Sequence, residues 1–177
     1  MKKVPPFIDA LTKVLPLTEV SDRAGRGLDL PEAFDLMLAW VNEVKRQDKK
    51  VIFVGNGGSA AIASHQAVDY WKNGGVRAVA FNDASLLTCV GNDFGFEHVF
   101  EKPIEMFADP QDLVVAISSS GRSSNILRGA EAARDDAREA CRSSVSLFHC
   151  EPTAGRGCRI GCRGNHCSVV RNGYRRQ

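Results

Sequence analysis

Two short stretches of this 177-residue chain carry residues whose types and spacing suit anion chemistry. "GNGGSAA" begins at Gly55, and "SSSGRSSN" begins at Ser118. Gly55, Gly57 and Gly58 would let the backbone approach a bound group closely, while Ser59, Ser118, Ser119, Ser120 and Ser123 add hydroxyl donors. Amides and hydroxyls together suit a phosphate monoester and place little demand on lysine. Taken singly, each stretch also reads as a tight turn or a solvated helix cap. Two of them, each at a strand end, favour a phosphate site. Neither is a dinucleotide fingerprint, since the Gly-x-Gly-x-x-Gly spacing is absent, nor a P-loop, which requires Gly-Lys-Ser/Thr.

The elements that must position these turns are legible on either side of them. "KKVIFVG" is a continuous apolar run closed by glycine, the pattern of a strand buried on both faces. "VRAVAFN" (76–82) and "DLVVAISSS" (112–120) are its expected parallel mates, with helical sequence over 60–72 and from 126 to about 140. Strands alternating with helices predict an α/β fold, a three-layer sandwich around a parallel β-sheet. In such sheets the strand carboxyl ends form the ligand edge. A helix starting there points unpaired N–H groups and a positive dipole end into the crevice. Ahead of the sheet, the sequence predicts a helix over 7–15, a loop at "SDRAGRGLD" and a second helix from 31 to about 46. Proline suits that second helix's first turn, and Phe34, Met37, Leu38, Val41, Val44 and Lys45 mark one face at helical spacing. Such a face needs a partner, either the sheet or another subunit.

Charge divides the chain. From Cys141 onward there are seven arginines, no lysine, no aspartate and one glutamate, a net +6 that leaves −4 for residues 1–140. Five of the six cysteines lie in that same last part. From residue 149 on, the large apolar residues are Ile160, Val169, Val170 and Tyr174, too few for a buried strand and an amphipathic closing helix. Three functional readings of this region compete. His149, Cys150, Cys158, Cys162, His166 and Cys167 match no paired Cys-x-x-Cys zinc pattern. A disulfide framework conflicts with a cytoplasmic body. A basic nucleic-acid-binding tail would lack interleaved aromatics. Arginine, glycine and cysteine enrichment without lysine reads best as out-of-frame translation of a GC-rich gene or a similar truncation, starting near 142. The region is expected to be disordered, with the incomplete sheet left marginal. The longest apolar runs are strand-sized, so no membrane span is expected. Prolines and charges break the opening "MKKVPPFIDALTKVLPL", which reads poorly as a signal peptide and points to the cytoplasm.

"GNGGSAAIASH", "GNDFGFEHVF" and "ISSSGRSSNILRGAEAARD", in that order, resemble the sugar isomerase (SIS) domain family, and more narrowly its bacterial phosphoheptose isomerases. Those enzymes interconvert sedoheptulose 7-phosphate and a heptose 7-phosphate. The likeness covers about residues 51–140 and implies a parallel-sheet sandwich, usually a homotetramer with sites at subunit interfaces. It puts Ser118, Ser119, Ser120 and Ser123 on the sugar phosphate. Asn56, Gly57, Gly58 and Ser59 would line the sugar chain, with Asn92 and Asp93 nearby. His65 and Asp69, four residues apart on one helix face, fall where the family holds a His that can bind zinc and a Glu that serves as ligand or base. Asp keeps the carboxylate but shortens its reach by a methylene. The resemblance therefore makes Asp69 a base or metal ligand and His65 its partner. Aldose–ketose isomerisation moves a proton between neighbouring carbons through an enediol, which calls for a base and for an acid or metal at the oxygen. A helical His/Asp pair can equally fix an interface. The family's closing region, with its Gln and second His, has no counterpart in the basic tail.

These readings divide the chain into an amino-terminal helical segment (1–48), an incomplete SIS-like core (49–148) and an irregular Cys/Arg/Gly-rich tail (149–177). The expected function is a sugar-phosphate isomerase domain. The alternative is a non-catalytic sugar-phosphate-binding regulatory or interaction module. Zinc is the one cofactor in view, a phosphorylated sugar and further copies of the chain are the expected partners, and neither membrane nor nucleic acid is.

Overall fold

A computed structural model describes residues 19–22, 26–134, 145–151 and 167–173, the last two segments as backbone strands. The elements are β1 (Glu19–Ser21), β2 (Gly27–Leu28), α1 (Leu30–Arg46), β3 (Lys50–Gly55), α2 (Gly58–Lys72), β4 (Arg77–Ala80), α3 (Ala84–Phe94), a 3-10 turn (Phe96–His98), α4 (Glu101–Phe107), β5 (Leu113–Ile117), α5 (Ser124–Ala132), β6 (Val145–Glu151) and β7 (Cys167–Gly173). They form a sheet of order β2-β1-β7-β6-β5-β3-β4. The run from β7 to β4 is parallel, and β1 joins β7 antiparallel.

Local chemistry accounts for the helices that matter most. α1 begins at Asp29, whose carboxylate accepts from the Glu32 amide at 2.7 Å, and ends on Lys45 and Arg46 beside the negative dipole end. α2 follows β3 almost without a loop. Gly55 is obligatory there, because a Cβ at that position would lie 2.7 Å from the backbone of Ser59.

The strands β3 and β5 alternate their side chains between two cores. Ile52, Val54, Val114 and Ala116 pack with Val99, Phe100, Ile104 and Ile126 beneath α4 and α5. Val51, Phe53, Leu113, Val115 and Ile117 pack with Val44, Ala63, Ala67 and Val76 beneath α1 and α2. The predicted three-layer sandwich is therefore present, with both central strands buried on both faces. At the amino-terminal ends of these strands, Asp112 is fully buried and accepts from the Lys50 amide at 2.9 Å and the Asp109 amide at 2.7 Å. The Lys50 ammonium sits 2.6 Å from Asp112 and 2.7 Å from Asp109. Burial pulls the Lys50 pKa down, but the hydrogen bonds and charges of the two carboxylates outweigh it and hold the group above its ordinary value.

Three features differ from the sequence expectations. The segment expected as a loop contributes Ser21 and Gly27 to an antiparallel pairing of β1 with β2. Two helices, α3 and α4, fill the connection between β4 and β5, where the sequence reading had placed only a motif. Residues 149–177, expected to form an irregular tail, include the end of β6 and all of β7, which pairs parallel to β6 from Val145↔Cys167 to Glu151↔Gly173. A ladder is built from backbone N–H and C=O groups, which a sequence poor in large apolar residues supplies as well as any other. The helix expected over 7–15, the end of the helix expected to reach 140, and Cys158, Cys162 and His166 lie outside the described residues.

Candidate active site at the sheet switch point

From β3 the chain moves outward to β4, and from β5 it moves the opposite way to β6. Their following helices therefore lie on opposite faces, and a crevice opens between the carboxyl ends of β3 and β5. Gly55 and Ile117 are direct partners in the parallel ladder, so both glycine- and serine-bearing turns leave neighbouring strands at the same level.

The first turn is made by Asn56 and Gly57. Gly57 has φ +54 and ψ −120, a conformation that side chains rarely adopt, and it sets the amides of Gly58 and Ser59 at the head of α2. The Ser59 amide closes the turn on the Asn56 carbonyl at 2.9 Å. In the second turn, buried Ser118 folds the loop by accepting from the Gly121 amide at 2.9 Å, and Ser120 accepts from the Arg122 amide at 3.2 Å. Ser123 caps α5 by position but makes no capping bond with its side chain. Ser119 and Arg122 are exposed on the same loop. Each serine has a hydroxyl proton, and two helix N-termini flank the crevice, so the arrangement favours an anion.

The two turns are joined by a contact that sequence reasoning missed. Asn56 Nδ2 donates to Asn125 Oδ1 at 2.9 Å, and Asn125 Nδ2 donates back to Asn56 Oδ1 at 2.8 Å. Asn125 is 2% exposed, and its Oδ1 also accepts from the Ile126 amide at 3.0 Å. The available signal was an asparagine in the first turn of a helix behind a serine run, a place where it also reads as a solvated cap.

His65 and Asp69 do share a face of α2, with Nε2 3.3 Å from Oδ2. Asn73 continues the row, donating to Asp69 Oδ1 at 3.2 Å. The pair is open to solvent, with side chains 75% and 39% exposed. Among the described residues no three His, Cys, Asp or Glu side chains come together as a metal site. His65 and Asp69 thus offer two donors where a catalytic zinc site takes three from the protein, and the described residues do not by themselves fit the ion. Asn92 and Asp93 lie exposed at the end of α3, where Asn92 Nδ2 donates to Asp93 Oδ1 at 2.9 Å and Cys89 Sγ lies 3.5 Å from Asp93 Oδ2. The described hydrogen bonds of their side chains are with each other and Cys89, not with either turn.

Comparison with known proteins places the chain in a family with this fold. Residues 29–138 match the SIS domain family, and the match ends close to where the sequence changes character. A phosphoheptose isomerase of Campylobacter concisus is 33% identical over 141 residues, which span 76% of this chain and 71% of that protein. One from Solidesulfovibrio magneticus is 46% identical over 92 residues, 49% of this chain and 45% of the relative. The chain spans about half the length of several of the curated relatives it matches. Among solved structures, phosphoheptose isomerase from Neisseria gonorrhoeae superposes with a TM-score of 0.71 at 27% identity, covering 96% of this chain and 82% of that one.

Proposed function

This chain belongs to the SIS domain family, and from that premise we propose that its crevice binds a phosphorylated sugar and serves aldose–ketose isomerisation of the phosphoheptose type, with sedoheptulose 7-phosphate as the substrate. The observation that supports it is the convergence of the two turns on neighbouring strands, joined across the switch point by Asn56 and Asn125. Ser118, Ser119, Ser120 and Ser123 would hold the phosphate with the α5 N-terminus. Gly57, Gly58 and Ser59, beside Asn56, would line the sugar, and Asn92 and Asp93 would approach from α3.

In this reading Asp69 takes the proton from the carbon beside the carbonyl and returns it to the next carbon of the enediol. His65, 3.3 Å away, orients the carboxylate and exchanges a proton with the sugar oxygen. A base so exposed needs cover to exclude water, and we assign that cover to further copies of the chain, as in the family's homotetramers. The outward Phe34, Leu38, Ile62 and Trp71 on α1 and α2 suit such contacts. No helix among the described residues is long and apolar enough to cross a membrane, and the proposal places the reaction in the cytoplasm.

The test compares sedoheptulose 7-phosphate with unphosphorylated sedoheptulose by calorimetry, and follows aldose formation with and without added zinc. Asp69→Asn is expected to lower turnover by about 100-fold or more while leaving sugar-phosphate affinity within about threefold of the parent. Binding without turnover in the unaltered protein would establish instead the non-catalytic sugar-phosphate module, a reading favoured by the solvent exposure of His65 and Asp69. Equal affinity for the phosphorylated and unphosphorylated sugar would overturn both.

A further inference from the structure

We infer that Asn125 is a positioning residue for the anion cradle, acting through its reciprocal carboxamide pair with Asn56. The inference rests on the crevice being the sugar-phosphate site and assigns a role within it. Asn56 and Asn125 are 69 residues apart, and each uses both ends of its carboxamide on the other, at 2.9 and 2.8 Å. A primary amide has one carbonyl and one NH₂, so a reciprocal pair of this kind fixes both the distance and the orientation of the groups that carry it. Asn56 is the first residue after β3 and Asn125 lies in the first turn of α5, so the pair spans the opening between the two turns. Burial of Asn125 keeps water from competing, and its additional bond from the Ile126 amide anchors the pair to the α5 N-terminus.

The chemical choice is specific. A carboxylate at either position would lose one of the two donors and place a negative charge where a dianion must enter. Glutamine would carry the amide a methylene too far. A hydrocarbon of similar volume would fill the space but leave the partner amide unpaired. Asparagine at both positions gives a neutral cross-link, which holds two anion-binding turns together without repelling the anion.

The test uses Asn125→Leu, Asn56→Leu and the double variant in the full chain, each first confirmed folded by circular dichroism. Hydrogen exchange in the unliganded protein reads the positioning directly. Asn125→Leu should speed exchange of the Ser59 amide, which is held on the Asn56 carbonyl across the pair from the substitution, by about tenfold. Affinities for sedoheptulose 7-phosphate and for inorganic phosphate should fall by the same factor, about tenfold, in both single variants and no further in the double. A purely structural role would lower the melting temperature while leaving exchange at Ser59 and the affinity of the folded protein unchanged, and that result overturns the inference. So does a loss confined to Asn56→Leu and to the sugar ester, which would make Asn56 a direct sugar contact. Should the unaltered protein bind neither phosphate compound, the site reading of the previous subsection fails, while the exchange measurement still decides whether the pair positions the turns. Should Asn56→Gln or Asn125→Gln restore parent exchange and affinity, the geometric requirement argued here is wrong.

Discussion

The two ends of β3 and β5 solve the same problem, how to fasten neighbouring strands, with opposite chemistry. At the amino-terminal end, Asp112 is fully buried and gathers two backbone amides and the Lys50 ammonium. At the carboxyl end, Asn56 and Asn125 do the fastening with neutral amides. A charge at the first end is tolerated because several donors surround it and nothing has to enter. At the second end a fixed carboxylate would oppose the anion that two helix N-termini favour. The amino-terminal end is built as a foundation, and the carboxyl end is the one we propose as the site.

Substitutions can break that contrast at either end. The largest expected effect on stability is at the foundation. Asp112→Ala strands the Lys50 and Asp109 amides and should cost about 3–5 kcal/mol in denaturant unfolding. Whatever fraction remains folded should bind sugar phosphate with parent affinity; a matching loss of affinity would mean that the two ends are not separable. Next comes Gly55→Ala. Its Cβ would meet the Ser59 backbone at 2.7 Å, displacing the first turn of α2. About 1–3 kcal/mol of destabilisation is expected, together with a fall of about tenfold in sugar-phosphate affinity measured by calorimetry. Unchanged affinity would show that the α2 head does not hold the ligand.

The smallest effect concerns Asp109, which lies at the surface. The Lys50 hydrogen bond, and then its charge, hold the Asp109 carboxyl below its ordinary 3.8. Because the folded value lies below the unfolded one, this group adds stability above 3.8 and loses it as the pH falls through its folded value. Asp109→Asn should therefore flatten part of the acid-side decline in melting temperature and change neutral-pH stability by less than about 1 kcal/mol. An acid-side decline identical to that of the parent would remove Asp109 from the foundation.

Much of this arrangement was readable from sequence, for identifiable reasons. Residues 51–54 and 113–117 are continuous apolar runs, and they became strands buried on both faces. Proline in the first turn and apolar residues at helical spacing marked out α1. Helical spacing placed His65 and Asp69 on one face of α2, whereas their openness to solvent could not be read that way, since exposure depends on what the rest of the chain covers. α3 and α4 went unread because the segment was taken up by a motif, although Asp83 caps α3 by accepting from the Leu86 amide at 3.0 Å. β7 went unread because strand pairing there is a property of backbone groups, which side-chain patterning does not report.

Residue types and their spacing set the apolar strands, the glycine that admits Ser59 beside β3, and the hydroxyl and amide donors available to an anion. All of these follow from the character of residues a few places apart. The meeting of Asn56 with Asn125, and of Asp112 with Lys50, depends on the folded chain. Those contacts join residues more than sixty positions apart, and they exist because the parallel register of β3 against β5 brings the strand ends level.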